Sequence, residues 1–295
     1  MGEAMDYQNF ISSKQIAVSQ SGFEPHNLSG SLFEYQRHCV EFALRAGRSA
    51  MFLDTGLGKT FCQLEYAREV VEHTNQPVLV LTPLAVAAQT AREADKFGID
   101  AKVIRDDGDV FNGVNIINYD RLDRLDVSQF SGVILDESSI LKNFSGKTRN
   151  QLVNAFRNTP YRLACTATPS PNDHTELGNH SEFLGVLNHA DMLPRWFIND
   201  TMNTGDWRLK GHAVRPFWDW VASWSRCVSK PSDLGFSDFG FDLPALNIER
   251  HVIDFESSAE SQGQLFASPE LSATGMPAVK KESAEHRSAG VAEMA

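Results

Sequence analysis

Ser49-Ala50-Met51-Phe52-Leu53-Asp54-Thr55-Gly56-Leu57-Gly58-Lys59-Thr60 is the stretch that decides the fold. Its first five residues are small or apolar, as in a buried strand, and the glycines that follow mark a turn. Lys59 and Thr60 then open a stretch with helical patterning. Strand, glycine turn and helix N-terminus together make a phosphate cradle, because turn N–H groups and the helix dipole both favour an anion. In such a cradle Thr55, Gly56, Leu57, Gly58, Lys59 and Thr60 line the phosphates. Lys59 reaches the terminal ones, and the Thr60 hydroxyl ligates Mg²⁺. The pattern Gly-x-x-x-x-Gly-Lys-[Ser/Thr] is broken at its first glycine position, where Leu53 stands. The reading therefore needs support from the rest of the chain.

Outward from this segment, apolar β-branched runs at 50–53, 78–82, 101–104, 114–118, 132–136 and 161–165 predict strands. Helical patterns at 35–46, 59–73, 85–97 and 144–156 lie between them, the first and third ending at Gly47 and Gly98. Alternation of this kind implies crossover units, a mostly parallel sheet and helices on both faces. The expected fold is thus an α/β three-layer sandwich with its ligands at the carboxyl ends of the strands. Beyond about residue 190 the rhythm changes. All five tryptophans fall between Trp196 and Trp224, and from Phe255 onward Ser, Ala, Glu and Gly dominate, as in a linker. This divides the chain into an N-terminal extension (1–27), a nucleotide-binding domain (28–190), a Trp-rich accessory segment (191–254) and a linker or the start of a further domain (255–295).

The totals set limits. No apolar run approaches the ~20 residues of a membrane span, and Met1-Gly2-Glu3-Ala4-Met5-Asp6 lacks the basic and apolar regions of a signal peptide. Membrane partners are not expected. Cys39, Cys62, Cys165 and Cys227 are scattered, which argues against zinc and disulfides and for a reducing cytoplasm. A net charge of −11 offers no general attraction to nucleic acid, although a local basic face remains compatible with it.

Val133-Ile134-Leu135 delivers Asp136 and Glu137 at a strand tip. Asp136 is suited to hold Mg²⁺ directly or through water, and Glu137 to orient and deprotonate an attacking water. Alone, the segment also reads as a surface turn with two acids. Its position about 75 residues after the phosphate turn, inside an alternating α/β pattern, favours the nucleotide site.

Six segments in one order resemble the first RecA-like domain of superfamily-two helicases of DEAD/DEAH-like type, and among them the Swi/Snf-related helicases of bacteriophages and prophages. They are Leu32-Phe33-Glu34-Tyr35-Gln36, the turn at 54–60, Leu81-Thr82-Pro83-Leu84, Ile117-Asn118-Tyr119-Asp120-Arg121-Leu122, Leu135-Asp136-Glu137-Ser138-Ser139 and Thr166-Ala167-Thr168-Pro169. The resemblance covers roughly residues 28–255 and implies ATP and Mg²⁺ as cofactors, with Lys59, Asp136 and Glu137 catalytic. It implies that Gln36 reads the adenine edge, with an amide that both donates and accepts. Thr82, Pro83, Asn118, Tyr119 and Arg121 would meet a nucleic-acid strand. Thr166 and Thr168 would couple hydrolysis to movement. Taken singly, Gln36 also reads as a surface glutamine, Thr82 as a helix cap and the two threonines as strand terminators.

Two departures carry expectations. Ser139 replaces the family's usual His or Asp, so coupling is expected to be altered. No second RecA-like domain of ~100 residues or more fits after Phe255. The arginine finger such a domain brings, worth ~10³–10⁵ in rate, would have to come from elsewhere. The chain is thus expected to bind ATP and hydrolyse it poorly alone.

Between Pro194 and Lys230 six bases face three acids. Trp207-Arg208-Leu209-Lys210-Gly211-His212 is the candidate nucleic-acid hairpin, with Arg208 and Lys210 as contacts; a solvated loop is the rival reading. Phe217, Trp220, Val221 and Trp224 have helical spacing and read first as core. The function expected is an ATP-dependent helicase or translocase acting on DNA in preference to RNA. The alternative is a nucleotide-gated nucleic-acid-binding or regulatory module without motor activity.

Overall fold

Residues 21–199, 207–241, 281 and 283–294 are described by the computed structural model. Two compact units are separated, Met1–Asp242 and Leu243–Ala295.

The first unit is built on seven strands: β1 (Arg48–Leu53), β2 (Val78–Thr82), β3 (Ala101–Val103), β4 (Val114–Asn118), β5 (Gly132–Asp136), β6 (Tyr161–Cys165) and β9 (Ser225–Val228). They lie in the order β3-β4-β2-β5-β6-β1-β9, and every adjacent pair is parallel. This is a RecA-like α/β sheet, as the sequence predicts. Its central strands are buried on both faces, which explains their near-continuous apolar runs.

Alternation along each strand assigns its side chains to two layers. Met51, Leu53, Val78, Val80, Ile116, Ile134 and Leu163 face one core, with α1 (Glu34–Ala46), α2 (Lys59–Thr74) and α3 (Ala87–Lys96). Phe52, Leu79, Leu81, Ile117, Val133 and Leu135 face the other. There they meet α4 (Lys147–Ala155), α5 (Leu177–Leu184), α6 (His189–Trp196) and α7 (Val214–Trp224). The result is the expected three-layer sandwich.

β9 is a difference from the sequence reading. Its four residues follow α7 without a turn, and Ala50 to Leu53 pair with Ser225 to Val228. The sheet therefore takes its last strand from the segment expected to be accessory. Within that segment, β7 (Phe197–Asn199) and β8 (Trp207–Leu209) form an antiparallel hairpin. Phe217, Trp220, Val221 and Trp224 are buried, as their spacing predicts.

Residues 21–33, partly assigned to an extension, are instead strapped onto α2. The buried Glu69 carboxylate accepts the His26 N–H at 2.6 Å and the Asn27 N–H at 3.2 Å. Buried Glu65 accepts the Ser29 N–H at 2.6 Å. Arg68 bridges both carboxylates and donates to the Asn27 carbonyl. The second unit contributes α8 (Ala284–Met294) where a linker was expected. The remaining linker, 255–280, and residues 1–20 of the extension lie outside the described residues.

Candidate functional site

β1 runs into the turn at 54–60, and α2 starts at Lys59. Gly56 and Gly58 hold φ of +89° and +73°, a backbone region open to glycine with little cost. A Cβ on Gly58 would also collide with Gln36 Nε2. Leu53 is fully buried in the core, so at the broken motif position a side chain packs where the pattern has none. The Asp54 N–H donates to the Val228 carbonyl at 2.9 Å, which hangs the start of the turn from β9. Asp54 Oδ1 accepts the Thr55 N–H at 2.6 Å, and Lys59 Nζ rests on the Leu53 carbonyl at 2.8 Å. The turn is thus closed on its own groups.

Gln36 is buried and committed to the protein. Its Oε1 accepts the Phe33 N–H at 3.0 Å, and its Nε2 donates to the Leu57 carbonyl at 3.0 Å. The Tyr35 hydroxyl reaches the same carbonyl at 2.9 Å. Gln36 therefore clamps the turn, contrary to an amide that stands free to read a base. The Leu57 side chain is buried beneath this clamp.

Asp136 and Glu137 emerge at the β5 tip, beside β6. Gln63 Nε2 donates to Asp136 Oδ1 at 2.9 Å. Burial raises the Asp136 pKa; Gln63 and nearby Lys59 oppose that rise and Glu137 adds to it. Glu137 adopts φ 58°, ψ 55°, a left-handed conformation uncommon for a residue other than glycine. Its Oε1 accepts two hydroxyls, Thr166 at 2.6 Å and Ser139 at 2.8 Å. Thr166 Oγ1 also accepts the Thr168 N–H at 3.0 Å. The Ser139 that breaks the family pattern thus holds the carboxylate through its hydroxyl. Ser138 points the other way, to His180 Nε2 at 3.1 Å. Burial drives the His180 pKa down to about 4. Neither Gln63 nor His180 was singled out from sequence. Gln63 lies three residues after Thr60, a spacing that could have exposed it.

The predicted nucleic-acid contacts divide. Pro83, Leu84, Tyr119, Asp120, Glu137, Ser139, Ile140 and Lys142 line a cleft of about 310 Å³ together with Thr82. Yet Thr82 is buried and its hydroxyl donates to the Pro83 carbonyl at 3.2 Å, so the exposed surface of this tip is Pro83 and Leu84. Tyr119 is no free stacking platform: its hydroxyl donates to the Asp136 carbonyl at 2.7 Å. Asn118 is buried, whereas Arg121 is partly exposed and forms no ion pair among the described residues. On the hairpin, Arg208 is exposed, paired with Ile198 across the strands. Lys210 Nζ instead donates to the Pro194 carbonyl at 2.7 Å, at the C-terminal end of α6. A cation is favoured there by the helix dipole.

The donor set fits a hydrated Mg²⁺. Thr60 and Asp136 offer hard oxygen donors, and buried Gln63 Oε1 has no hydrogen-bond partner. Among the described residues no group of three or more His, Cys, Asp or Glu could hold a metal by itself. Mg²⁺ in nucleotide sites takes most ligands from phosphates and water. No described helix is long and apolar enough to cross a membrane.

A glycine turn after β1 and two carboxylates at the tip of β5, with β6 between the two strands, stand on a RecA-like sheet. Residues 29–171 match the family model for the Type III restriction enzyme res subunit, ResIII. Over 164 residues, the chain is 29% identical to the SWI/SNF-related matrix-associated actin-dependent regulator of chromatin subfamily A-like protein 1 of Xenopus laevis. That match covers 51% of this chain and 17% of that protein. The Sulfolobus solfataricus SWI2/SNF2 ATPase core, solved in complex with dsDNA, shares the fold at a TM-score of 0.60 and 20% identity. It is covered over 48% of its length and matches 73% of this chain. A second structure, of the Sulfolobus solfataricus SWI2/SNF2 ATPase core domain, gives a TM-score of 0.56 at 21% identity, over 73% of this chain and 46% of its own. The chain is thus similar to ResIII over residues 29–171 and to a SWI/SNF-related protein over 164 residues, and it spans 17% of the length of that relative.

Proposed function

We propose that this chain is the ATP-binding part of an ATP-dependent nucleic-acid translocase that acts on DNA in preference to RNA. The observation that carries the reading is the shared position of Glu137. One oxygen of its carboxylate takes the hydroxyls of Thr166 and Ser139. The same residue lines the cleft formed with Pro83, Leu84, Tyr119 and Asp120. The group expected to activate water thus borders the strand tips expected to meet nucleic acid.

In this reading the turn N–H groups and Lys59 bind the phosphates, and Lys59 exchanges the Leu53 carbonyl for them. Thr60 and Asp136 hold Mg²⁺, which when bound neutralises phosphate charge and orients the terminal group. Glu137 takes the proton of the attacking water. Thr166 and Ser139 fix its carboxylate and report its state to the cleft. In a motor of this kind full turnover draws a cation from a second RecA-like body. The archaeal core bound to dsDNA supports DNA as the track. Four free cysteines support a cytoplasmic setting.

The test is Mg-ATP binding and hydrolysis by this chain with and without duplex DNA. Wild type should bind ATP and gain turnover with DNA. Lys59→Ala should lose affinity about tenfold or more, and Glu137→Gln should bind ATP with turnover abolished. Unchanged ATP binding in Lys59→Ala would refute the site.

A further inference from the structure

Gln63 sits one helical turn beyond Thr60 on α2, on the same face. Its side chain is fully buried, at 0% exposure. One end of its amide is used, since Nε2 donates to Asp136 Oδ1 at 2.9 Å. The other end, Oε1, has no hydrogen-bond partner. Other buried polar atoms are also unpaired, at Ser49, Arg149, Asn179, His180, Trp220 and Trp224. Among these orphan-bearing residues, Gln63 is the one bonded to a carboxylate of the nucleotide site. A buried acceptor left unpaired is unfavourable, so its persistence here calls for a donor that arrives with a ligand.

We propose that Gln63 is a positioning residue for the Mg-nucleotide. Nε2 holds Asp136 Oδ1 and leaves the second carboxylate oxygen for the cation. Oε1 accepts a hydrogen bond from a water in the cation's shell. Outer-shell groups of this kind set ligand orientation and commonly change metal affinity 10- to 100-fold. The inference rests on the reading that this site binds Mg-nucleotide.

The distinguishing quantity is how much Mg²⁺ improves ADP affinity, taken as the ratio of Kd in EDTA to Kd in Mg²⁺ by calorimetry. Gln63→Met keeps the side-chain length and removes both polar ends. The ratio should fall about tenfold, with the Kd in EDTA unchanged within about twofold. A group that only fills space would alter both values or neither. An unchanged ratio in the folded variant overturns the proposal. A wild-type chain that gains nothing from Mg²⁺ overturns the underlying site reading as well. Gln63→Leu gives a second variant. In the unmodified chain, the Gln63 side-chain NH₂ signals should shift between ADP with EDTA and ADP with Mg²⁺. Signals that stay fixed overturn the proposal without any substitution.

Discussion

Thr166 Oγ1 donates to Glu137 Oε1 across 2.6 Å, from the tip of one strand to the tip of its neighbour. The hydroxyl sits on the residue expected to serve as base, and it is itself tied to Thr168. Thr166→Val keeps the shape and removes the donor. Nucleotide Kd should stay within about threefold while single-turnover ATP hydrolysis falls about tenfold or more, the signature of an interaction that matters in the transition state. Thr166→Ser should retain the rate. Equal loss in binding and rate would reassign Thr166 to ground-state binding.

His180 gives the chain an acid-sensitive point. Its pKa lies at about 4 when folded, because burial disfavours the charged ring, against 6.5 for the free side chain. Between these values the unfolded chain binds more protons, so stability rises with pH and is lost as pH falls from 6.5 towards 4. The full effect is on the order of 3 kcal/mol. His180→Gln should flatten that stretch of a urea-midpoint profile. A variant profile parallel to wild type would count against His180 as its source.

Arg208 and Lys210 should behave oppositely although they lie two residues apart. Exposed Arg208 is the contact candidate, and Arg208→Ala should lower the slope of log K against log salt for duplex binding by about 0.9. Lys210 caps the end of α6, so Lys210→Ala should cost about 0.3–1 kcal/mol of stability and leave the slope unchanged. The reverse outcome would exchange the two roles.

Glu69 holds two backbone N–H groups of the 21–33 strap and pairs with Arg68, fully buried. Glu69→Ala leaves these groups unmatched and should cost about 3–5 kcal/mol, read as a shift in urea midpoint. Protease nicking should appear first within 21–33. Nicking elsewhere first would show that the strap does not depend on this carboxylate.

Much of the sheet was legible because its strands are buried on both faces and so read as unbroken apolar runs. β9 was not, since Ser225-Arg226-Cys227-Val228 is short, polar at two positions and fused to the helix before it. The phosphate turn was legible from Gly56, Gly58, Lys59 and Thr60, whose types follow from backbone freedom and charge. The fates of Thr82, Tyr119, Lys210 and Gln36 were not. Tyr119, Lys210 and Gln36 donate to backbone carbonyls distant in sequence, and Thr82 to that of the next residue; residue type alone does not distinguish an offered donor from a spent one. Gln63 escaped because its partner, the Asp136 carboxylate, lies 73 residues away at a strand tip.

The bond from the Asp54 N–H to the Val228 carbonyl bears on the order of events as the chain leaves the ribosome. Synthesis runs from the N-terminus, and a contact spanning so much sequence closes late. β1 can take β6 as one neighbour early, but its other edge stays open until residues 225–228 emerge. The first peptide of the phosphate turn is then fixed last, although its own sequence is among the first made. A nascent chain halted before residue 225 should accordingly carry every residue of the turn and still lack its anchored shape.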